Sequence, residues 1–274
     1  MAAGRRIRQI PIIRALSRSY PEMDSEELYA AILCGEVFVN GERVRDPKAR
    51  IPIDGTLERR VDKFVGRGGY KLEGALDDLD LDPDGLVCLD AGASTGGFTD
   101  CLLSRGAMNV HAVDVGYNQL AWKLRSDDRV IVHERTNLMD LQPGDLIPEP
   151  TFAVADLSFR SLRGAASRLL ELTRGGTVLA LVKPQYENPK EDGFDGVVRT
   201  NAARAGVLES LRTDLPNEGV FVQNAAASRV TGRKGNAEIF LLLGREPAQD
   251  MDKVNAQISR ALDDADSRNP GLST

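Results

Sequence analysis

The chain has 274 residues and a mass of 29.8 kDa, 42% of it hydrophobic and 28% charged, with a net charge of −6: enough for a buried core in one or two soluble domains. Its longest apolar runs, 177–182 and 239–243, fall far short of the roughly 18 residues that cross a bilayer, and no apolar leader follows the first residues, so neither a membrane protein nor a secreted one is expected and the cytoplasm is. Three cysteines in no close pair and two histidines argue against a disulfide framework, a zinc ribbon and a multi-histidine metal centre.

The charge is unevenly spread. Residues 1–70 carry 13 Lys/Arg against 10 Asp/Glu, whereas the remainder is strongly acidic. Arg5, Arg6, Arg8, Arg14 and Arg18 all precede the first acid, Glu22. Such an arm suits phosphate contact, because each neutralised phosphate releases counterions; on charge alone a solvated surface is an equal reading. Ser25, followed by Glu26, Glu27 and an apolar run over 28–33, predicts a capped helix that Gly35 stops. Asn40-Gly41 between Val39 and Val44 predicts a two-residue hairpin, since both turn positions tolerate positive φ. Asp54-Gly55 then turns the chain into a short strand over 56–61.

Ala30-Ala31-Ile32, the run Gly35-Glu36-Val37-Phe38-Val39-Asn40-Gly41, Val44 and Asp54-Gly55 together resemble the S4 RNA-binding fold over residues 8–61. The resemblance implies an RNA face built from the early arginines, with Arg43 and Arg67 beyond them. Where that family carries a basic residue after the serine opening its second helix, this chain has Glu26, which shifts the expected contact toward the arginine arm.

Residues 62–69 read as a linker, with an aromatic-aliphatic pair at Phe64-Val65. From residue 85 the pattern alternates: strands over 85–90, 109–114, 129–132, 152–155 and 176–182, and helices over 98–105, 162–172 and 202–211. Strands 219–223 and 238–243 close it as an antiparallel pair. The expected class is α/β, a Rossmann-like doubly wound sheet (70–245) behind a small α+β module (1–61), with 246–274 a polar helix and tail.

The strongest motif is Asp90-Ala91-Gly92-Ala93-Ser94-Thr95-Gly96-Gly97-Phe98, at the first strand-to-helix turn. Glycines there let backbone approach a ligand. The spacing is not GxGxxG and no GK[ST] follows, so dinucleotide and P-loop readings lose ground. Asp114, at the end of the second strand, is placed to accept hydrogen bonds from a ribose diol. An ionised Asp90 would favour a cationic group over phosphate, which suits S-adenosylmethionine (AdoMet). A plain tight turn explains the glycines alone, but not the two carboxylates.

Four charged residues sit at element ends: Lys71 after Gly68-Gly69-Tyr70, Asp156 in Ala155-Asp156-Leu157-Ser158, Lys183 in Val182-Lys183-Pro184-Gln185, and Glu238 in Asn236-Ala237-Glu238. Lys-Asp-Lys-Glu behind such a turn resembles the FtsJ-like 2′-O-ribose RNA methyltransferases. Asp114-Val115-Gly116-Tyr117, Gln119-Leu120-Ala121-Trp122 and Glu134-Arg135-Thr136-Asn137 bring the resemblance closer to the TlyA-type (hemolysin A) branch, nearly to residue 243. It implies AdoMet-dependent methylation of cytidine 2′-hydroxyls in ribosomal RNA, with no metal and no membrane partner, by a monomer. It implies a catalytic tetrad of Lys71, Asp156, Lys183 and Glu238, in which Lys183 accepts or steers the hydroxyl proton. It further implies cofactor contacts from Asp90, Gly92, Ala93, Ser94, Gly96, Gly97, Phe98, Asp114, Val115, Asn137 and Asp156, with Asn137 at the adenine edge. The loop over 186–198 is read as a lid or an ordinary surface loop. Three rivals remain: an inactive RNA-binding assembly factor, a membrane-active hemolysin, and a nicotinamide dehydrogenase.

Overall fold

The computed structural model describes residues 8–158, 161–187 and 194–267, the Arg233 side chain excepted. The chain divides between Lys63 and Phe64 into two units.

In the first unit, β1 (Gln9–Pro11) leads into α1 (Ile12–Ser19), and α2 (Ser25–Cys34) follows. The cap of α2 is Asp24, one residue before the expected Ser25. Its carboxylate accepts from the Glu27 amide at 2.9 Å and Glu27 accepts from the Asp24 amide at 2.8 Å, a reciprocal box that satisfies two helix-end donors. Gly35 ends the helix in the left-handed conformation, as its position predicts. The hairpin of β2 (Val37–Val39) and β3 (Glu42–Val44) turns on Asn40 and Gly41 at φ 51° and 83°, and β5 (Leu57–Arg59) joins the other edge of β2. A separate pair, β1 with β4 (Arg50–Pro52), has only three residues per strand, too short for alternation to reveal. Ile12, Leu16, Leu28, Ile32, Val37 and Ile51 form this unit's core. Arg14 and Arg18, four apart on α1, stay exposed while Ile12 and Leu16 are buried. Arg8 and Arg43 are exposed, and the guanidinium groups of Arg43 and Arg60 lie 5.1 and 4.4 Å from the centre of the Phe38 ring. Arg5 and Arg6 lie outside the described residues.

The second unit is a seven-stranded sheet ordered β8-β7-β6-β9-β10-β12-β11. Its strands are β6 (Val87–Ala91), β7 (Asn109–Val113), β8 (Val130–His133), β9 (Phe152–Ala155), β10 (Val178–Val182), β11 (Phe221–Ala227) and β12 (Ile239–Gly244). β12 runs antiparallel to both neighbours, as the closing pair predicts, and the other ladders are parallel. Helices α3 (Arg67–Asp78), α4 (Gly97–Ser104), α5 (Trp122–Arg125), α6 (Ala165–Glu171), α7 (Pro184–Glu187), α8 (Asn201–Asp214) and α9 (Met251–Ser267) complete it. Apolar residues of both sheet faces fill two cores, one around Leu89, Val182 and Leu241, the other around Cys88, Leu102 and Phe240.

Two expected boundaries are corrected. The stretch 62–69 is not a free linker throughout: Phe64 is 2% exposed and packs its ring edge-on to Tyr70 at 5.1 Å, and α3 already begins at Arg67. The C-terminal helix expected within 246–274 is α9, but it is not polar all round: it buries Val254, Ala261, Leu262 and Ala265 in the core, and Arg204, wholly buried on α8, pairs with Asp266. Small residues hid this stripe: two of its four apolar anchors are alanines.

His111 is a core residue, as its strand position predicts. Its Nε2 lies 2.8 Å from the Pro148 carbonyl and its Nδ1 3.0 Å from His133 Nε2, with the rings stacked. The carbonyl can only accept, so His111 donates from Nε2 and receives the His133 proton at Nδ1, and both rings are neutral. Burial, with mutual repulsion for His111, holds both below the ordinary 6.5. The unfolded chain therefore takes up these protons first, so their contribution is complete above about pH 6.5 and is lost as pH falls through the lowered folded values. His133→Gln, which keeps a donor but no titrating ring, loses less stability than the native chain between about pH 7 and about pH 5 in urea unfolding; equal losses would show the pair does not titrate.

Candidate active site

The order β7-β6-β9 reverses direction between β6 and β9, and the carboxyl ends of parallel strands open a crevice at such a point. A cavity of about 630 Å³ lies there, lined by residues that follow each of the five parallel strands. The turn after β6 supplies Gly92 and Ser94. Gly92, at φ +85°, lets the turn approach β9: a Cβ there would lie 2.7 Å from the Asp156 carbonyl oxygen. Gly97 has a different task. A Cβ on it would sit 2.9 Å from the Gly69 amide nitrogen, so α4 and α3 pack through their glycines and bring α3, with Lys71, to the crevice.

Asp114 sits just beyond β7. Its two oxygens accept from the Ser94 amide at 2.8 Å and the Gly116 amide at 2.7 Å. Each carboxylate oxygen retains a lone pair, so the group can still accept from two hydroxyls of a diol. Val115, Asn137, Leu138 and Met139 continue the wall. Asn137 caps a short 3₁₀ turn through its side-chain oxygen, bonded to the Met139 amide at 3.1 Å.

The four tetrad residues all line the cavity and form two ion pairs. Lys71 Nζ lies 2.6 Å from Glu238 Oε2, with the two residues 8% and 3% exposed. Burial pushes the Glu238 carboxyl up, against the pull of the Lys71 charge. Gly232 makes room for it, since a Cβ there would fall 2.1 Å from Glu238 Oε1. Lys183 Nζ lies 2.5 Å from Asp156 Oδ1, an ionic contact without hydrogen-bond alignment, and donates to Ser158 Oγ at 3.0 Å. The loop carrying Glu238 is stapled to α3 by Arg229 on Asp77 and Asp78 and by Arg67 on the Thr231 carbonyl. Arg67 is thus engaged within its own unit. Lys71 faces Glu238 directly, so its charge is largely neutralised there.

Of the expected cofactor residues, Gly92, Ser94, Asp114, Val115, Asn137 and Asp156 line the cavity. Ala93, Gly96, Gly97, Phe98 and Asp90 do not. Phe98 packs on Phe240 in the core, and Gly96 makes room for Leu120 and Leu124. Asp90 is fully buried, bonded by the Thr99 hydroxyl at 2.6 Å, and burial, opposed by that bond, pushes it up to about 7. It is therefore not the firmly ionised acid the turn suggested. Gln119, Thr136, Leu157, Ser158, Gln185 and Tyr186 line the cavity without having been singled out. They flank or lie within quoted motifs, which was the available signal.

The cavity suits AdoMet on its own donor set. Asp114 offers the diol acceptor, Gln185 Oε1 is a buried acceptor without a hydrogen-bond partner among the described residues, and the first turn offers no lysine for phosphate. Fold and crevice thus define a Rossmann-like enzyme domain that takes a nucleoside-bearing, non-phosphate cofactor beside a lysine–carboxylate quartet.

Residues 64–245 match the FtsJ-like methyltransferase family model, and the chain belongs to that family. It is 39% identical over 248 residues to the 16S/23S rRNA (cytidine-2′-O)-methyltransferase TlyA of Mycobacterium tuberculosis, covering 89% of this chain and 91% of that protein. It is 38% identical over 211 residues to Hemolysin A of Brachyspira hyodysenteriae, covering 76% and 88%. A solved hemolysin-like chain from Streptococcus thermophilus superposes with a TM-score of 0.72 at 33% identity, covering 96% of this chain and 97% of that one. Among the described residues no helix is long and apolar enough to cross a membrane.

Proposed function

We propose that this chain is an AdoMet-dependent methyltransferase that modifies the ribose 2′-hydroxyl of a cytidine in ribosomal RNA. The observation that carries the reading is the convergence of Lys71, Asp156, Lys183 and Glu238, as two ion pairs, on a cavity that Asp114 also lines. A dehydrogenase or a passive assembly factor has no need of two buried lysine–carboxylate pairs beside a nucleoside crevice. The Mycobacterium tuberculosis relative is by name a 16S/23S rRNA (cytidine-2′-O)-methyltransferase, and the arginines of the first unit suit a phosphate backbone.

In this mechanism Asp114 would hold the cofactor ribose, Val115 and Met139 would flank its base, and Gln185 would accept its or the substrate's donors. Bound AdoMet supplies an activated methyl group, so the protein's task is positioning and proton handling. Asp156 fixes Lys183 in the crevice, and Lys183 accepts the 2′-hydroxyl proton as the oxygen attacks. Glu238 fixes Lys71, and both shape the floor on which the ribose rests. The target nucleotide must leave its stack to reach this depth. We place the enzyme in the cytoplasm, acting as a monomer without a metal.

The test is transfer of labelled methyl from AdoMet to separated small and large ribosomal subunits, followed by nucleoside mass spectrometry. 2′-O-methylcytidine is the expected product, and the labelled subunit defines the substrate. AdoMet binding without label on either subunit would overturn the assignment in favour of an assembly factor.

A further inference from the structure

Lys183 is 9% exposed, so a proton it takes from a substrate needs a way out. Among the described residues its ammonium makes two polar contacts, with Asp156 Oδ1 at 2.5 Å and Ser158 Oγ at 3.0 Å. They differ in their access to water. Asp156 Oδ1 is sealed from solvent, whereas Ser158 is exposed and lines the cavity. The bond also has a direction. Lys183 donates to the serine oxygen, which leaves the serine's own proton free to point to water.

We propose that Ser158 is the proton exit of Lys183, a positioning residue outside the tetrad that returns the general base to its neutral form. The inference rests on the methyltransferase reading given above. In balance, the 2′-oxygen forms its bond to the methyl carbon while the sulfur–methyl bond breaks and its electron pair stays on sulfur. The hydroxyl proton passes to Lys183 Nζ. The resulting ammonium then gives one proton to Ser158 Oγ as the serine hydroxyl proton passes to water. No oxidant or further co-reactant is needed.

The geometry is held by a cross-link between the two loops. Glu187, on the helix that follows Lys183, accepts from the Ser161 hydroxyl at 2.6 Å and the Leu162 amide at 2.8 Å, on the loop that follows Ser158. Arg163 adds an ion pair to Glu187 at 3.1 Å. Glu187 thus ties the helix after Lys183 to the segment that starts at Ser161.

The first readout needs no cofactor or RNA. In the free protein labelled with ¹⁵N-lysine, with the Lys183 signal assigned by its loss in Lys183→Arg, exchange of the Nζ protons with water is measured for the native chain, Ser158→Ala and Ser158→Thr. Exchange slows by about tenfold or more in Ser158→Ala and recovers in Ser158→Thr, which keeps the hydroxyl. Unchanged exchange in Ser158→Ala overturns the proposal. The second readout is multiple-turnover transfer. There Ser158→Ala lowers kcat with an enlarged solvent isotope effect while KM for AdoMet holds, because a residue that merely packs would not alter proton transfer. An unaltered isotope effect also overturns it. If the native chain itself transfers no methyl while the exchange result stands, the functional reading fails and the proton path does not.

Discussion

Lys183→Ala lowers the rate of methyl transfer by about 10²–10⁴-fold, the range in which positioned acid–base groups contribute. The side chain reaches the cavity from the end of β10 and is held against Asp156 and Ser158, so no neighbouring amine can replace it: Lys71 is committed to Glu238 at 2.6 Å. Cofactor affinity changes little, because Asp114 and the glycine turn stand on other strands. Lys183→Arg separates two roles. A guanidinium keeps the charge but does not give up a proton in proteins, so an inactive arginine variant assigns Lys183 as a base, and an active one assigns it as an electrostatic guide. Single-turnover transfer with labelled AdoMet, beside equilibrium dialysis of the cofactor, reads both. An alanine variant within a few-fold of the native rate would falsify the tetrad.

Lys71→Met costs stability more than any surface substitution, about 3–5 kcal/mol, because it strands Glu238 as an uncompensated carboxylate that is only 3% exposed. The loss depends on pH with a definite sign. Burial already raises the folded Glu238 above 4.5, and removal of the lysine removes the charge that opposed this. The folded variant then holds a proton that the unfolded chain releases, so its stability is best below 4.5 and falls as pH rises through the raised folded value. Lys71→Met with Glu238→Leu recovers much of the deficit, since two apolar groups need no partner. Urea unfolding at several pH values measures it. A loss under about 1 kcal/mol, or one flat across pH, would show that water reaches the pair.

How much of this was legible in the sequence varies by element. Gly35 and Asn40-Gly41 announced their structure because only a few residues tolerate their backbone angles, and the structure places all three at positive φ. The strands of the second unit announced theirs through continuous apolar runs, the signature of strands buried on both faces. β1 and β4 did not, and α9 announced a helix but not its buried stripe. A three-residue strand has no period to read, and the buried stripe of α9 is carried partly by alanines.

The site divides along the same physical line. Its sequence alone determined where the turn lies and that Asp114, Asp156 and Lys183 end parallel strands, since strand ends and glycine turns are local features. It did not determine which turn residues face the ligand. Ala93, Gly97 and Phe98 share a motif with Gly92 and Ser94, yet turn to the core, because the direction of a side chain follows from helix packing and not from spacing. Nor did it determine the protonation of Asp90, which burial sets, or the pairing of Lys71 with Glu238 across 167 positions. Those were decided only in the tertiary structure, where distance through space and loss of solvent replace distance along the chain.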